Sequence, residues 1–187
     1  RFFQGGTIVI VSDCLQFLAE NYATQYHIKA LVFKKELYPD LPQIEYVEFP
    51  KARQGIFRRL YYEYVYFRKL SARWKPYLWL SMQDSTPNVK ADVRAVYYHN
   101  PLLFRGIVWS DLIRQPRMFF LTLLYKFIYT ANMTENDLII VQQDWLRKFL
   151  VNKYYNLKEK IILLPPTLKF NELKSLQYCK NIIKQDV

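Results

Sequence analysis

Val93-Arg94-Ala95-Val96-Tyr97-Tyr98-His99-Asn100-Pro101 is the stretch on which the fold turns. Six residues rich in β-branched and aromatic side chains read as a buried strand. Pro101 ends it immediately after two polar residues, because proline cannot continue a ladder. Two further runs have the same form: Tyr77-Leu78-Trp79-Leu80-Ser81-Met82 leads into Gln83-Asp84-Ser85-Thr86, and Leu138-Ile139-Ile140-Val141 leads into Gln142-Gln143-Asp144. In an open parallel sheet the carboxyl ends of the strands line one edge, where such folds bind ligands. The three polar clusters are therefore expected to form one site.

Working outward, the spacing of Ile8, Val11, Leu15 and Leu18 predicts an amphipathic helix over residues 7–21, with Thr7 as its cap. Strands are expected at 26–33 and 44–49, separated by the turn-rich Tyr38-Pro39-Asp40-Leu41-Pro42. Ile56, Leu60, Tyr64, Phe67 and Leu70 place one helix over 56–72. Between the strands at 93–98 and 138–141 lies a helical insertion in two pieces, 109–114 and 116–129, because Pro116 suits a first turn. A helix over 144–154, with Asp144 as N-cap, and a strand at 161–164 closed by Pro165-Pro166 complete the alternation. Strands alternating with helices imply βαβ units: an α/β fold with a Rossmann-like open, mostly parallel sheet and helices on both faces. A last helix is expected in the tail, packing through Leu173, Leu176 and Ile183.

The chain has 187 residues, 51% of them apolar and 18% aromatic, which is material for one core. With four glycines, nine prolines and no repeat, residues 1–187 are expected to form a single domain. A formal charge of +11 directs attention to anionic partners: nucleic acid, acidic lipid or phosphate-bearing ligands. Cys14 and Cys179 form no CxxC pair and supply too few ligands for a zinc site, so no metal and a reduced, cytoplasmic setting are expected. The most apolar window, 118–129, is interrupted by Lys126 and is shorter than the ~20 residues that span a bilayer. Arg1-Phe2-Phe3-Gln4-Gly5-Gly6 shows no signal-peptide character and reads as the middle of a motif whose preceding strand is missing. A fragment is expected.

Each cluster carries a structural and a functional reading. Gly5 and Gly6 before a helix would let backbone amides approach a phosphate, or form an ordinary glycine turn; no GxGxxG or GxxxxGK[ST] is present. His99, at a strand end beside Asn-Pro, is placed for general-base work or for hydrogen bonding a hydroxyl or phosphate. His27, within a predicted strand, reads as structural. Asp84 reads equally as an acid at the mouth of the crevice and as a turn-capping carboxylate. Gln142 and Gln143 are amides suited to hydroxyl recognition. On the 56–72 helix, Arg58, Arg59, Arg68 and Lys69 alternate with Tyr61, Tyr62, Tyr66 and Phe67. That mixture suits an anionic membrane interface, single-stranded nucleic acid, or a solvated face over an aromatic core.

The order of these motifs resembles the amino-terminal domain of a GT-B glycosyltransferase of the family 4 kind. The resemblance rests on Gln4-Gly5-Gly6-Thr7, Leu80-Ser81-Met82-Gln83-Asp84, Val96-Tyr97-Tyr98-His99-Asn100-Pro101 and Ile139-Ile140-Val141-Gln142-Gln143-Asp144-Trp145-Leu146-Arg147. It covers nearly the whole chain as an ordered pattern of short motifs. It implies one half of a GT-B fold, with residues 165–187 as an interdomain or terminal segment and a missing carboxyl-terminal domain that grips the donor. It implies transfer of a sugar from a nucleotide-sugar, a substrate rather than a cofactor, to a lipid-linked or saccharide acceptor. Gly5, Gly6 and Thr7 would face the donor phosphates, His99 the donor sugar or the reacting hydroxyl, and Asp84, Asn100, Gln142 and Gln143 the acceptor side, with His99 and Asp84 as the catalytic pair. Arg58, Arg59, Arg68 and Lys69 would rest on the inner face of a membrane. The acidic E-x7-E pattern of the second domain is absent from this chain. The alternative is a non-catalytic basic module that binds nucleic acid or another anionic polymer, which explains the charge but not the polar strand ends.

Overall fold

The computed structural model describes residues 6–99 and 110–165. The elements run α1 (Gly6–Tyr22), β1 (Ile28–Val32), β2 (Ile44–Glu48), α2 (Ile56–Tyr61), α3 (Phe67–Trp74), β3 (Leu78–Ser81), β4 (Val93–Tyr98), α4 (Ser110–Arg114), α5 (Pro116–Thr130), β5 (Leu138–Val141), α6 (Asp144–Lys153) and β6 (Ile161–Leu163). The tail helix expected from Leu173, Leu176 and Ile183 lies outside the described residues.

β3, β4, β5 and β6 form a four-stranded sheet in that order, every neighbour parallel, with Val96 opposite Ile139 and Ile139 opposite Ile161. Because side chains alternate between faces along a strand, Val96, Tyr98, Ile139, Val141 and Ile161 share one face. They are buried there against Ile128 and Tyr129 of α5 and Leu146 and Leu150 of α6. Side chains of this size stabilise a fold by about 1.5–3 kcal/mol each when fully buried, so this face is the main core. The α/β, Rossmann-like class read from the sequence is the class observed. The sheet is not continuous, however: β1 and β2 pair parallel to each other in a separate two-stranded sheet. That pair has its own core, in which Leu15 and Ala19 of α1 cover Ala30, Val32 and Ile44.

Three local expectations need correction. The single helix over 56–72 is α2 and α3 joined through a π turn, Tyr62–Tyr66. A π turn takes up one more residue than an α turn and rotates the helix beyond it. Here Tyr62, Tyr66 and Phe67 all meet Phe49 edge-on, and Phe67 meets Trp79 of β3, with centroids 5.6–5.7 Å apart. His27 precedes β1 rather than lying inside it, and pairs with Glu45 at 2.8 Å on the surface. α6 begins at Asp144, so Gln143 is the N-cap, while Asp144 sits at the positive end of the helix with Lys148 at 2.7 Å.

The core phenol of Tyr98 and the half-buried one of Tyr64 make stability depend on alkaline pH. Burial pushes the Tyr64 hydroxyl up to about 12, and pushes Tyr98, whose hydroxyl donates to the Tyr129 carbonyl at 2.6 Å, well above its ordinary range. Between pH 10 and the folded pKa the native chain holds protons that the unfolded chain has lost. Stability is therefore complete below pH 10 and falls as pH rises from 10 through 12. In a spectrophotometric titration these two tyrosines should ionise together with unfolding. Their ionisation near pH 10 in a folded protein would contradict the packing.

Candidate functional site

β3, β4 and β5 end side by side, and the residues just beyond them come together as the parallel topology requires. His99, one residue past β4, is the centre. Its backbone N–H donates to Asp84 Oδ1 at 2.5 Å, and its ring Nδ1 stands 3.2 Å from Asp84 Oδ2. On the other side of the ring, Nε2 is 2.9 Å from the hydroxyl of Thr7. A neutral imidazole has one donor and one acceptor nitrogen. With Nδ1–H directed at the carboxylate, Nε2 keeps its lone pair, and the Thr7 hydroxyl donates to it. The imidazole is thus held in one tautomer, with its basic nitrogen on the Thr7 hydroxyl.

Asp84 is buried, at 3% exposure, and so stands behind His99 rather than at the mouth of the crevice. Its backbone is left-handed, φ 58°. Aspartate tolerates that conformation better than most residues, and such strain collects at functional sites. The contacts are those of the turn-capping reading, the carboxylate accepting the His99 N–H, and the same carboxylate also reaches the ring. Ser85 and Thr86 are equally buried, the carbonyl of Ser85 accepting from Ser81 Oγ at 2.6 Å and Thr86 Oγ1 from Asn136 Nδ2 at 2.7 Å.

Thr7 does not cap α1. The helix begins one residue earlier, and Thr7 in its first turn reaches His99 instead. The positive end of α1 therefore opens on the histidine. Gly6 opens the helix; Gly5 and Asn100 lie outside the described residues.

From β5, Gln142 and Gln143 join His99, Trp145 and Leu146 in lining a pocket of about 90 Å³. Ligand pockets run to about 300 Å³ or more, so this pocket has room for no more than one edge of a ligand. Tyr97 stacks on the His99 ring, centroids 6.3 Å apart at 29°. Burial raises its phenol pKa, with the Gln142 side chain in hydrogen-bonding reach. Gln143 Oε1 accepts the Trp145 indole N–H, so this amide is held by the pocket wall. Tyr97, Trp145 and Leu146 were not anticipated, because nothing in a strand or helix pattern marks which apolar residues border a cleft.

The basic helix divides. Arg58, Arg68 and Lys69 are exposed, Arg58 donating to the Gln54 side chain. Arg59 is turned inward, its Nε 2.7 Å from Glu63 Oε1, and does not belong to the surface patch. Burial opposes its charge most strongly, yet attraction to Glu63 leads the contributions that outweigh it and hold the guanidinium above its ordinary pKa. Of the aromatics, Tyr61 faces solvent with Phe57 and Val65, whereas Tyr62, Tyr66 and Phe67 belong to the cluster around Phe49. Among the described residues there is no group of three or more potential metal ligands and no helix long and apolar enough to cross a membrane. Cys14 has a thiol pKa raised by burial.

Comparison of the chain with known protein families, with curated proteins and with solved structures finds no match.

Proposed function

We propose that the chain is the acceptor-side half of a two-domain, GT-B-type glycosyltransferase, acting on a nucleotide-sugar and a lipid-linked or saccharide hydroxyl. The observation that carries this reading is the His99 imidazole, fixed between the buried Asp84 and the Thr7 hydroxyl at the carboxyl edge of a parallel sheet. Thr7 offers Nε2 a hydroxyl proton, which is the group an acceptor would present. In the working complex the acceptor hydroxyl takes the position on Nε2, and His99 accepts its proton as the oxygen attacks the sugar. Asp84 orients the ring and stabilises the imidazolium that forms. The amide of Gln142 offers a donor and an acceptor to neighbouring hydroxyls, and the amino end of α1 favours the negative charge of the departing phosphate.

The test is a screen of nucleotide-sugars against lipid-linked and free saccharide acceptors with the full-length protein. Product in the wild type that disappears in the His99 variant supports the reading. An inverted anomeric centre goes with His99 as base; a retained one would make it a ligand of a sugar hydroxyl instead.

The membrane partner belongs to the same proposal. Phe57, Tyr61 and Val65 recur along one exposed side of the α2 and π-turn segment, with Arg58, Arg68 and Lys69 exposed beside it. Each basic residue near an anionic leaflet contributes about 1 kcal/mol. The triple variant Arg58→Gln, Arg68→Gln, Lys69→Gln should therefore lose salt-sensitive sedimentation with acidic liposomes, with the melting temperature unchanged. Wild-type protein that ignores such vesicles at low salt but binds single-stranded nucleic acid tightly would favour the basic-module alternative.

A further inference from the structure

Glu63 breaks the usual rules for a carboxylate. It is only 6% exposed, and its Oε2 has no hydrogen-bond partner among the described residues. An ionised group buried with acceptor capacity unused is costly. It also lies in the π turn, a rare geometry that recurs at functional sites. Its other oxygen accepts from Arg59 Nε, and the neighbouring Nη2 of that guanidinium extends to the loop after β3. Arg59 Nη2 is 3.4 Å from Ser85 Oγ and 3.5 Å from the Gln83 carbonyl. The main chain of the same turn holds the loop further on, the Glu63 carbonyl accepting the Asn88 N–H at 2.9 Å. The left-handed residue, Asp84, sits between these two attachments.

We propose that the Arg59–Glu63 pair is a positioning device, which clasps the segment 83–88 so that Asp84 keeps its carboxylate on His99. The inference rests on reading Asp84 and His99 as the reacting centre; neither member of the pair touches substrate. A buried ion pair is a poor source of stability, since apolar replacements of similar volume are often neutral or stabilising. An arginine is needed here because one planar fork reaches both the carboxylate and the loop, which a lysine ammonium does not. Site order and overall stability should therefore separate on mutation.

The test uses the full-length protein, with thermal unfolding and amide hydrogen exchange read by mass spectrometry. In the double variant Arg59→Met, Glu63→Leu the melting temperature should hold or rise. Exchange in peptides covering 83–86 and His99 should become about tenfold faster, the loss expected for one net hydrogen bond. Peptides covering β5 should not change. Arg59→Lys keeps the charge and should loosen the same peptides. Unchanged exchange around Asp84 and His99 in both variants would overturn the proposal, and so would uniform acceleration in every peptide with a fall in melting temperature, the mark of an ordinary structural ion pair. Where the wild type turns over, kcat should fall in both variants with KM for the donor nearly constant. Local loosening in a protein that transfers no sugar would leave the clasp standing and remove the transferase reading.

Discussion

His99→Ala in the full-length protein should lower kcat by about 10²-fold or more while leaving the fold nearly intact. General acid–base groups contribute on the order of 10²–10⁴-fold, and loss of a group acting only in the transition state lowers kcat and kcat/KM together. The structural cost is small for a specific reason. The contact that fixes the Asp84 turn is donated by the backbone N–H of His99, which survives truncation to alanine. What disappears is the ring, with its contacts to Asp84 Oδ2 and the Thr7 hydroxyl. At about 1 kcal/mol for each of these two contacts, and about 2–4 °C per kcal/mol for a domain of this size, the melting temperature should fall by about 4–8 °C. Steady-state kinetics beside differential scanning calorimetry decide the matter. A large fall in melting temperature with modest loss of rate would make His99 a structural residue.

Much of this site was legible because one-dimensional pattern and parallel topology suffice to predict convergence. Three apolar runs ending on polar clusters place Asp84, His99, Gln142 and Gln143 on one edge whatever the loops do, and the structure brings these four together. Legibility stopped where the side chains face each other across the fold. Thr7 and His99 are 92 residues apart in sequence, and no local pattern says that a hydroxyl in a first helical turn meets that ring. The burial of Asp84 was equally hidden, since an acid after an apolar strand looks the same whether it faces water or the backbone of its neighbour. Arg59 was misread for the opposite reason. A run of bases on a helix looks like a surface, and the clue against it was Glu63 four residues on, the spacing of an intrahelical pair. The π turn that brings Glu63 inside breaks the 3.6-residue period, so periodicity could not place it. The separate β1–β2 pair also lay beyond pattern reading, because apolar runs identify strands but not which edges pair.

Asp84→Asn should cost nearly as much in rate as loss of the histidine, and much less in stability than Asp84→Ala. Asparagine tolerates the left-handed backbone that φ 58° requires, and its carbonyl oxygen can still accept the His99 N–H. The turn therefore survives. The negative charge beneath Nδ1 does not, so the ring is no longer held with Nε2 as its acceptor, and the imidazolium formed on proton transfer loses its counter-charge. An orienting carboxylate of this kind supports general-base catalysis by about 10²-fold or more, and kcat should fall accordingly with an unchanged unfolding midpoint. Asp84→Ala places a residue with no side-chain acceptor in the same left-handed conformation, at about 1–2 kcal/mol. It also leaves the His99 N–H without its partner, at about 1–3 kcal/mol. The two costs add to about 2–5 kcal/mol of stability, visible in chemical denaturation as a midpoint shift at constant slope. The order of midpoints, wild type and asparagine together with alanine well below, tests the turn. The order of rates, with both variants low, tests the carboxylate on the ring, and full activity in Asp84→Asn would leave Asp84 as a turn residue alone.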